Sequence, residues 1–302
     1  MTRRGFACRW LILLLGPLPA LGCAATLPPQ RSVATELVQV TTADGVRLDG
    51  ALWLPAEGPG KAPAVLLVHG YAGNFYTAWP LLGEALARRG HLTLALNMRD
   101  HDLTPQRSLF EDNRVDIETG IALLARRGAS SVVLVGHSMG TNRVLYYLAE
   151  TQDPRVLGLV LMAGPGNLLE WNIHLFGREH ALAVLAEAQQ RVQAGRGDEL
   201  MLVDLGPLGK TLYSAAHVVS LRGPQTRSDP FRSIASIHVP ILILHGTADR
   251  LADPAIAWRL KDAAVTASSA QLHLLPGLGH DLPRSPEAIL PILEPWLEGM
   301  PR

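Results

Sequence analysis

The sequence is poor in cysteine: 302 residues contain two, Cys8 and Cys23, both near the N-terminus. Everything after them can form no internal disulfide, which excludes a fold stapled by bridges. Charge is also scarce, at 18% of residues, and it balances, with 27 Lys and Arg against 27 Asp and Glu. With no basic excess there is no electrostatic footprint for a nucleic acid partner, and no acidic block forms a solvating tail. H-E-x-x-H, paired C-x-x-C and G-x-x-x-x-G-K-[ST] are all missing, so metal, redox and nucleotide chemistry have no support in the sequence.

What is abundant is apolar material, 48% of the chain, enough for one large core. The first 25 residues read apart from it. Arg3, Arg4 and Arg9 precede the apolar run Trp10 to Leu21, and Gly22, Cys23, Ala24 and Ala25 follow, in the order of a secretory signal. The run is shorter than the ~20 residues a spanning helix needs and is broken by Gly16, Pro17 and Pro19. Two finer resemblances stay open. Arg3-Arg4-Gly5-Phe6 is similar to a twin-arginine export signal, and Ala20-Leu21-Gly22-Cys23 resembles a lipobox, with Ala where Leu is usual. The expectation is an exported protein, periplasmic or anchored in a membrane only through a lipid on Cys23.

From Val33 onward short β-rich runs alternate with helical ones, the mark of an α/β fold with a mostly parallel sheet. Glu36 to Thr42 and Val46 to Trp53, joined by Ala43-Asp44-Gly45, read as an antiparallel lead-in. Ala62 to His69 is nearly all apolar, as a strand buried on both faces should be. A helix from Trp79 to Arg89, a strand Leu92 to Asn97, a helix Val115 to Arg127, a strand Ser131 to Val135, a helix Met139 to Glu150 and a strand Val156 to Met162 follow. The rhythm then stops until about His238. A structureless loop of that length would be abnormal in a compact domain, and Arg178 to Ala194 has helical spacing, so residues 165–238 are expected to form a helical cap. The core is assigned to 33–164 and 239–299, closing with the strand Pro240 to Leu244, the helix Pro254 to Val265, the strand Gln271 to Leu275 and the helix Pro286 to Leu297.

Chemistry gathers at strand ends. Ser131 to Val135 runs through Gly136-His137-Ser138-Met139-Gly140 straight into a helix, the context in which G-x-S-x-G exposes a nucleophilic serine. A neutral hydroxyl needs a base, and the base needs an orienting acid. Asp249 lies in the loop after the strand ending at Leu244, and His280 in the glycine-flanked loop after Leu275. Asp253, just ahead of Pro254, is a rival acid but the better helix cap. Two amides are needed for an oxyanion: Met139 offers one, and the loop His69-Gly70-Tyr71-Ala72-Gly73-Asn74 the other, through Tyr71 or else Ala72.

With these residues in order, the chain from about Val33 to Leu297 resembles the α/β-hydrolase family, in its branch of capped esterases and lipases. The resemblance implies an eight-stranded, mostly parallel sheet flanked by helices, with the helical cap inserted after strand 6. It also implies acyl chemistry through Ser138, His280 and Asp249 with no metal or organic cofactor, on a small-molecule ester substrate. The sequence departs from many relatives at Asn97-Met98-Arg99-Asp100-His101-Asp102, where carboxylates replace glycines. That loop reads either as salt-bridged through Arg99 or as a polar wall with His101 or Asp102 meeting substrate. Trp171 and Phe176 are candidate substrate contacts in an apolar ceiling that also includes Leu208 and Tyr213, and the same side chains could equally pack the cap onto the body. A thioesterase, a serine aminopeptidase or a carbon-carbon bond hydrolase would use the same triad, and a non-catalytic binding protein is the alternative of another class. Nothing in the sequence sets an oligomeric state.

Overall fold

The computed structural model describes residues 33–58, 60 and 62–300. The expected export segment with Cys23 lies outside these residues. Eight strands form one sheet: β1 (Ala34–Thr41), β2 (Arg47–Leu54), β3 (Ala64–Val68), β4 (Thr93–Leu96), β5 (Val132–His137), β6 (Val156–Met162), β9 (Ile241–Gly246) and β10 (Ala270–Leu275). Their order is β1-β2-β4-β3-β5-β6-β9-β10. β1 pairs antiparallel with β2, and β2 with β4, while the pairs from β4 to β10 are parallel. The lead-in turn closes through Thr42 N to Val46 O at 2.8 Å, with Gly45 at φ 87°.

Strand periodicity distributes the core to both faces. Ala64, Leu66 and Val68 of β3, with Val132 and Leu134 of β5, meet α3 (Asn113–Arg126), α4 (Met139–Thr151) and α9 (Ala255–Ala263). Val65, Leu67, Val133 and Val135 meet α2 (Pro80–Ala87) and α10 (Pro286–Glu298) on the other face. Covering both faces is what makes these runs continuous rather than alternating in sequence. A short α1 (Phe75–Ala78) precedes α2; Asn74 Oδ1 caps it by accepting from Thr77 N at 2.7 Å, and Trp79 joins the two helices.

Between β6 and β9 the chain forms α5 (Leu168–Phe176), α6 (Arg178–Gln193), β7 (Leu200–Asp204), β8 (Lys210–Ser214), α7 (Ala215–Arg222) and α8 (Pro230–Ile234). The expected cap is therefore not helical throughout. β7 and β8 make an antiparallel ribbon, because Leu200 to Asp204 and Lys210 to Ser214 bury alternate side chains, Met201, Val203, Thr211 and Tyr213 among them. The ribbon is held to the loop after β4: Gln106 N donates to Leu212 O at 2.9 Å, and Ser214 N to Gln106 O at 2.8 Å.

Candidate active site

Ser138 sits between β5 and α4 with φ 53° and ψ −128°, a positive φ that a non-glycine residue adopts only under constraint. The constraint is close packing on either side of it. A Cβ on Gly136 would lie 2.4 Å from Gly140 O, and one on Gly140 would lie 2.1 Å from Val68 O. Ser138 N donates to Met162 O at 2.9 Å, and Ser138 O accepts from Thr141 N at 2.9 Å and Thr141 Oγ1 at 2.8 Å. The backbone is thus pinned at both ends. Met139 opens α4, so its amide has no carbonyl one turn back within the helix to bond.

The loop after β3 faces this turn. A Cβ on Gly70 would be 2.6 Å from the Ser138 Cβ, so only glycine lets the two segments approach. His69 braces the loop: Nδ1 donates to Gly70 O at 2.8 Å and Nε2 accepts from Met98 N at 2.9 Å. Burial, reinforced by the charge of Arg143, pushes the His69 pKa down to about 3, so the ring stays neutral in that tautomer. Arg143 donates to His69 O at 2.7 Å and to Asp100 Oδ1 at 2.6 Å.

Asp249 and His280 come from the loops after β9 and β10. His280 Nδ1 lies 2.8 Å from Asp249 Oδ2, while Asp249 Oδ1 accepts from the amides of Leu251 at 2.8 Å and Ala252 at 2.9 Å. His245 Nε2 adds a contact to Oδ2 at 3.2 Å. Burial works against the ionised carboxylate, but the hydrogen bonds from His245 and His280 outweigh it and hold Asp249 well below the usual carboxylate range. Behind His280 stands His137, whose Nε2 donates to His280 O at 2.8 Å. Burial pushes the His137 pKa to about 3, which keeps that ring neutral too.

Ser138 and His280 line one pocket of about 250 Å³, with Gly70, Tyr71, Trp171, Leu208 and Leu251 among its walls and Asp281 and Arg284 at one side. Among the described residues no three His, Cys, Asp or Glu side chains converge to hold a metal ion.

A family model described as the alpha/beta hydrolase fold matches residues 63–195, and a second, described as serine aminopeptidase S33, matches residues 225–287. The chain belongs to the α/β-hydrolase superfamily. This hydrolase is similar to a monoacylglycerol lipase of Mycolicibacterium smegmatis, at 29% identity over 80% of this chain and 89% of that protein. It is similar also to a non-heme haloperoxidase of Rhodococcus erythropolis, at 25% identity over 69% of this chain and 85% of that one. The solved structure of Est1E from Butyrivibrio proteoclasticus superposes with a TM-score of 0.63, covering 87% of this chain and 97% of that one, at 17% identity that speaks for the fold alone.

The hydrolase brings Ser138, His280, Tyr71 and Trp171 to the pocket wall, with Asp249 behind His280. Trp171 also ties the insertion to the body by donating from Nε1 to Leu251 O at 2.8 Å. Phe176 is not in that wall; it packs edge-on to Trp171 with ring centres 6.5 Å apart. His101 is not in the wall either, because its Nδ1 is turned 2.7 Å from Asp102 Oδ2, and Asp102 is held in turn by Asn74 and Tyr76. Arg99 does carry salt bridges, but to Asp44 and Asp116 rather than to its own loop. Asp253 caps the start of α9 through Ala255 N at 2.9 Å. Two features escaped the sequence reading: His137 as a brace for His280, and the buried Arg143–Asp100 pair, which no spacing rule connects.

Proposed function

We propose that this hydrolase cleaves a carboxylic ester through a covalent acyl-serine, with Ser138 as nucleophile, His280 as base and Asp249 as its orienting acid. The observation that carries this reading is the 2.8 Å contact between His280 Nδ1 and Asp249 Oδ2, in a pocket that also exposes the strained Ser138. With Nδ1 committed to the carboxylate, Nε2 is the nitrogen left to accept a proton. His280 takes the hydroxyl proton as Ser138 Oγ attacks the carbonyl, and the Met139 and Tyr71 amides receive the oxyanion. Collapse of the tetrahedral intermediate expels the alcohol, which leaves with the proton from His280. Water, deprotonated by the same imidazole, then attacks the acyl carbon, releases the acid and restores Ser138. Catalytic hydrogen bonds of this kind tighten around bound substrate.

An aminopeptidase would need carboxylates in the wall to hold a free ammonium. Among the lining residues the only one is Asp281, which shares the wall with the opposite charge of Arg284, while Tyr71, Trp171, Leu208 and Leu251 suit an acyl chain. The test is a series of p-nitrophenyl esters of increasing chain length. Turnover is expected, with a fall of about 10⁴ or more in Ser138→Ala at an unchanged fold; turnover that persists in the purified variant overturns the assignment.

We further propose that the enzyme works outside the cytoplasm, on the strength of Arg3, Arg4, Arg9 and the run Trp10 to Leu21. Fractionation of cells expressing wild type and Cys23→Ala should find shortened protein in the envelope. Full-length protein confined to the cytoplasm would contradict it.

A further inference from the structure

Among the described residues two arginines are buried outright, and they differ in one respect. Arg143 is fully enclosed and donates to Asp100 Oδ1 at 2.6 Å. Arg222, the last residue of α7, is 4% exposed, yet its Nε and Nη2 are sealed from solvent without a hydrogen-bond partner. No carboxylate pairs with it among the described residues. An uncompensated buried cation is strongly unfavourable, so a chain that keeps one gains something from it that the resting fold does not display.

Phenols pack against the helix that carries Arg222. Tyr71 and Tyr213 share an apolar cluster with Val218 and Val219 of α7, and their hydroxyls hydrogen bond to each other. One O–H serves that bond, and the second has no acceptor among the described hydrogen bonds. Asp100, the carboxylate that bears on both phenols, is engaged by Arg143. Asp100 apart, the group holds guanidinium N–H donors, a phenolic O–H donor and the buried His217 ring, 4.6 Å from the Tyr213 ring, whose Nδ1 is spent on Ser108 O. That is the composition of a carboxylate receptor, in which a planar fork and hydroxyls converge on two oxygens.

Tyr71 joins this cluster to the pocket. Its residue lines the Ser138 pocket, and its hydroxyl reaches Tyr213. Leu221, next to Arg222, packs with Met139 and Trp171 in the same apolar group as Tyr71. Arg222 itself is outside the wall, and Tyr71 is the residue common to that wall and to the hydrogen bond with Tyr213. We propose that Arg222, with the Tyr71 and Tyr213 hydroxyls, binds a carboxylate carried by the substrate, so that the favoured ester bears a second, acidic group. The inference rests on the ester-hydrolase reading above. On binding, the carboxylate replaces the Tyr71–Tyr213 bond, accepting from the hydroxyls and the guanidinium together.

The experiment compares kcat/KM for the p-nitrophenyl monoesters of glutaric, adipic and suberic acids with uncharged p-nitrophenyl esters of equal chain length. A second arm compares butyrate esters of hydroxy acids with butyrates of matching alcohols, which locates the carboxylate on the acyl or the alcohol side. The acidic member of one series should be preferred roughly tenfold or more, the worth of a charge-assisted hydrogen-bonded contact, and Arg222→Met should bring that ratio to one or below. The ratio is the reading, since a general loss of folded protein cancels from it. No acidic preference in either arm, or a preference that survives Arg222→Met, overturns the proposal. Thermal unfolding with free glutarate, adipate or suberate needs no turnover: at least one should raise the midpoint of wild type and none that of Arg222→Met. A shift without ester turnover would count against the serine chemistry alone, whereas turnover without a shift would count against the carboxylate subsite alone.

Discussion

The central strands and β7 of the insertion's ribbon are built from similar apolar residues, but they are buried differently. All six residues of β5 are buried, and β3 beside it and β9 beyond β6 are equally enclosed. In β7 and β8 burial alternates, and Leu202 and Leu212 are exposed at 66% and 39%. The body has two covered faces and holds the proposed reacting groups on the ends of its strands, where a shift of backbone would disturb packing on both sides. The insertion has one covered face, contributes Trp171 and Leu208 to the pocket, and keeps Arg222 uncompensated. Substitutions in the two regions should accordingly fail in different ways: chemistry or folding in the body, selectivity in the insertion.

The largest effect expected lies in the body. Asp249→Asn should lower kcat by about 10⁴ with little change in KM, because the imidazole loses its orienting carboxylate. Asp253→Asn, which touches only the start of α9, should change kcat less than tenfold, roughly the reach of a helix cap. Steady-state kinetics on both variants breaks the assignment if their order is reversed.

Acid should weaken both regions. His69 and His137 in the body have pKa values near 3, and His217 in the insertion near 4, each pushed below the ordinary 6.5 first of all by burial. The unfolded chain takes up protons on these rings as pH falls below about 6.5 while the folded chain does not, so stability is fully present above that value and declines toward pH 4 and below. Each ring removes up to about 1.4 kcal/mol per pH unit across that window. Urea midpoints measured at pH 7.5, 6, 5 and 4 should fall in that order, and a flat profile would mean that these rings already share protons with solvent.

A smaller and more selective effect belongs to the insertion. Trp171→Ala should raise KM for long-chain esters roughly tenfold while leaving kcat for short ones nearly intact, the worth of one lost apolar wall. A uniform fall in kcat would instead assign Trp171 to the support of the reacting groups. The smallest effect is one of stability in the opposite direction. Ser138→Gly should raise unfolding free energy by about 1 kcal/mol, because glycine adopts φ 53° without strain; a lower thermal midpoint would show that the turn is not strained.

The sequence made the body legible because burial on both faces writes itself as continuous apolar runs, and because Gly136, Ser138 and Gly140 announce a sharp turn between strand and helix. The meeting of Asp249 and His280 was legible from chain order and from their places in the loops after two late strands. The ribbon was not, since five-residue strands with one covered face, set among helices, leave only two or three alternations to read. His101 was expected at the pocket from its loop and Phe176 from its place in the insertion, yet Asp102 engages the first and the second packs edge-on to Trp171. Nothing local marks Arg222, whose importance is that no acid among the described residues pairs with it in three dimensions.

The account stands on Ser138 as nucleophile, and covalent labelling tests it most directly. Treated with a fluorophosphonate probe and digested, the protein should carry one adduct, on the peptide containing Ser138, and His280→Ala should slow that labelling by orders of magnitude. No adduct on folded protein, or an adduct on another serine that leaves Ser138 unmodified, would contradict the account.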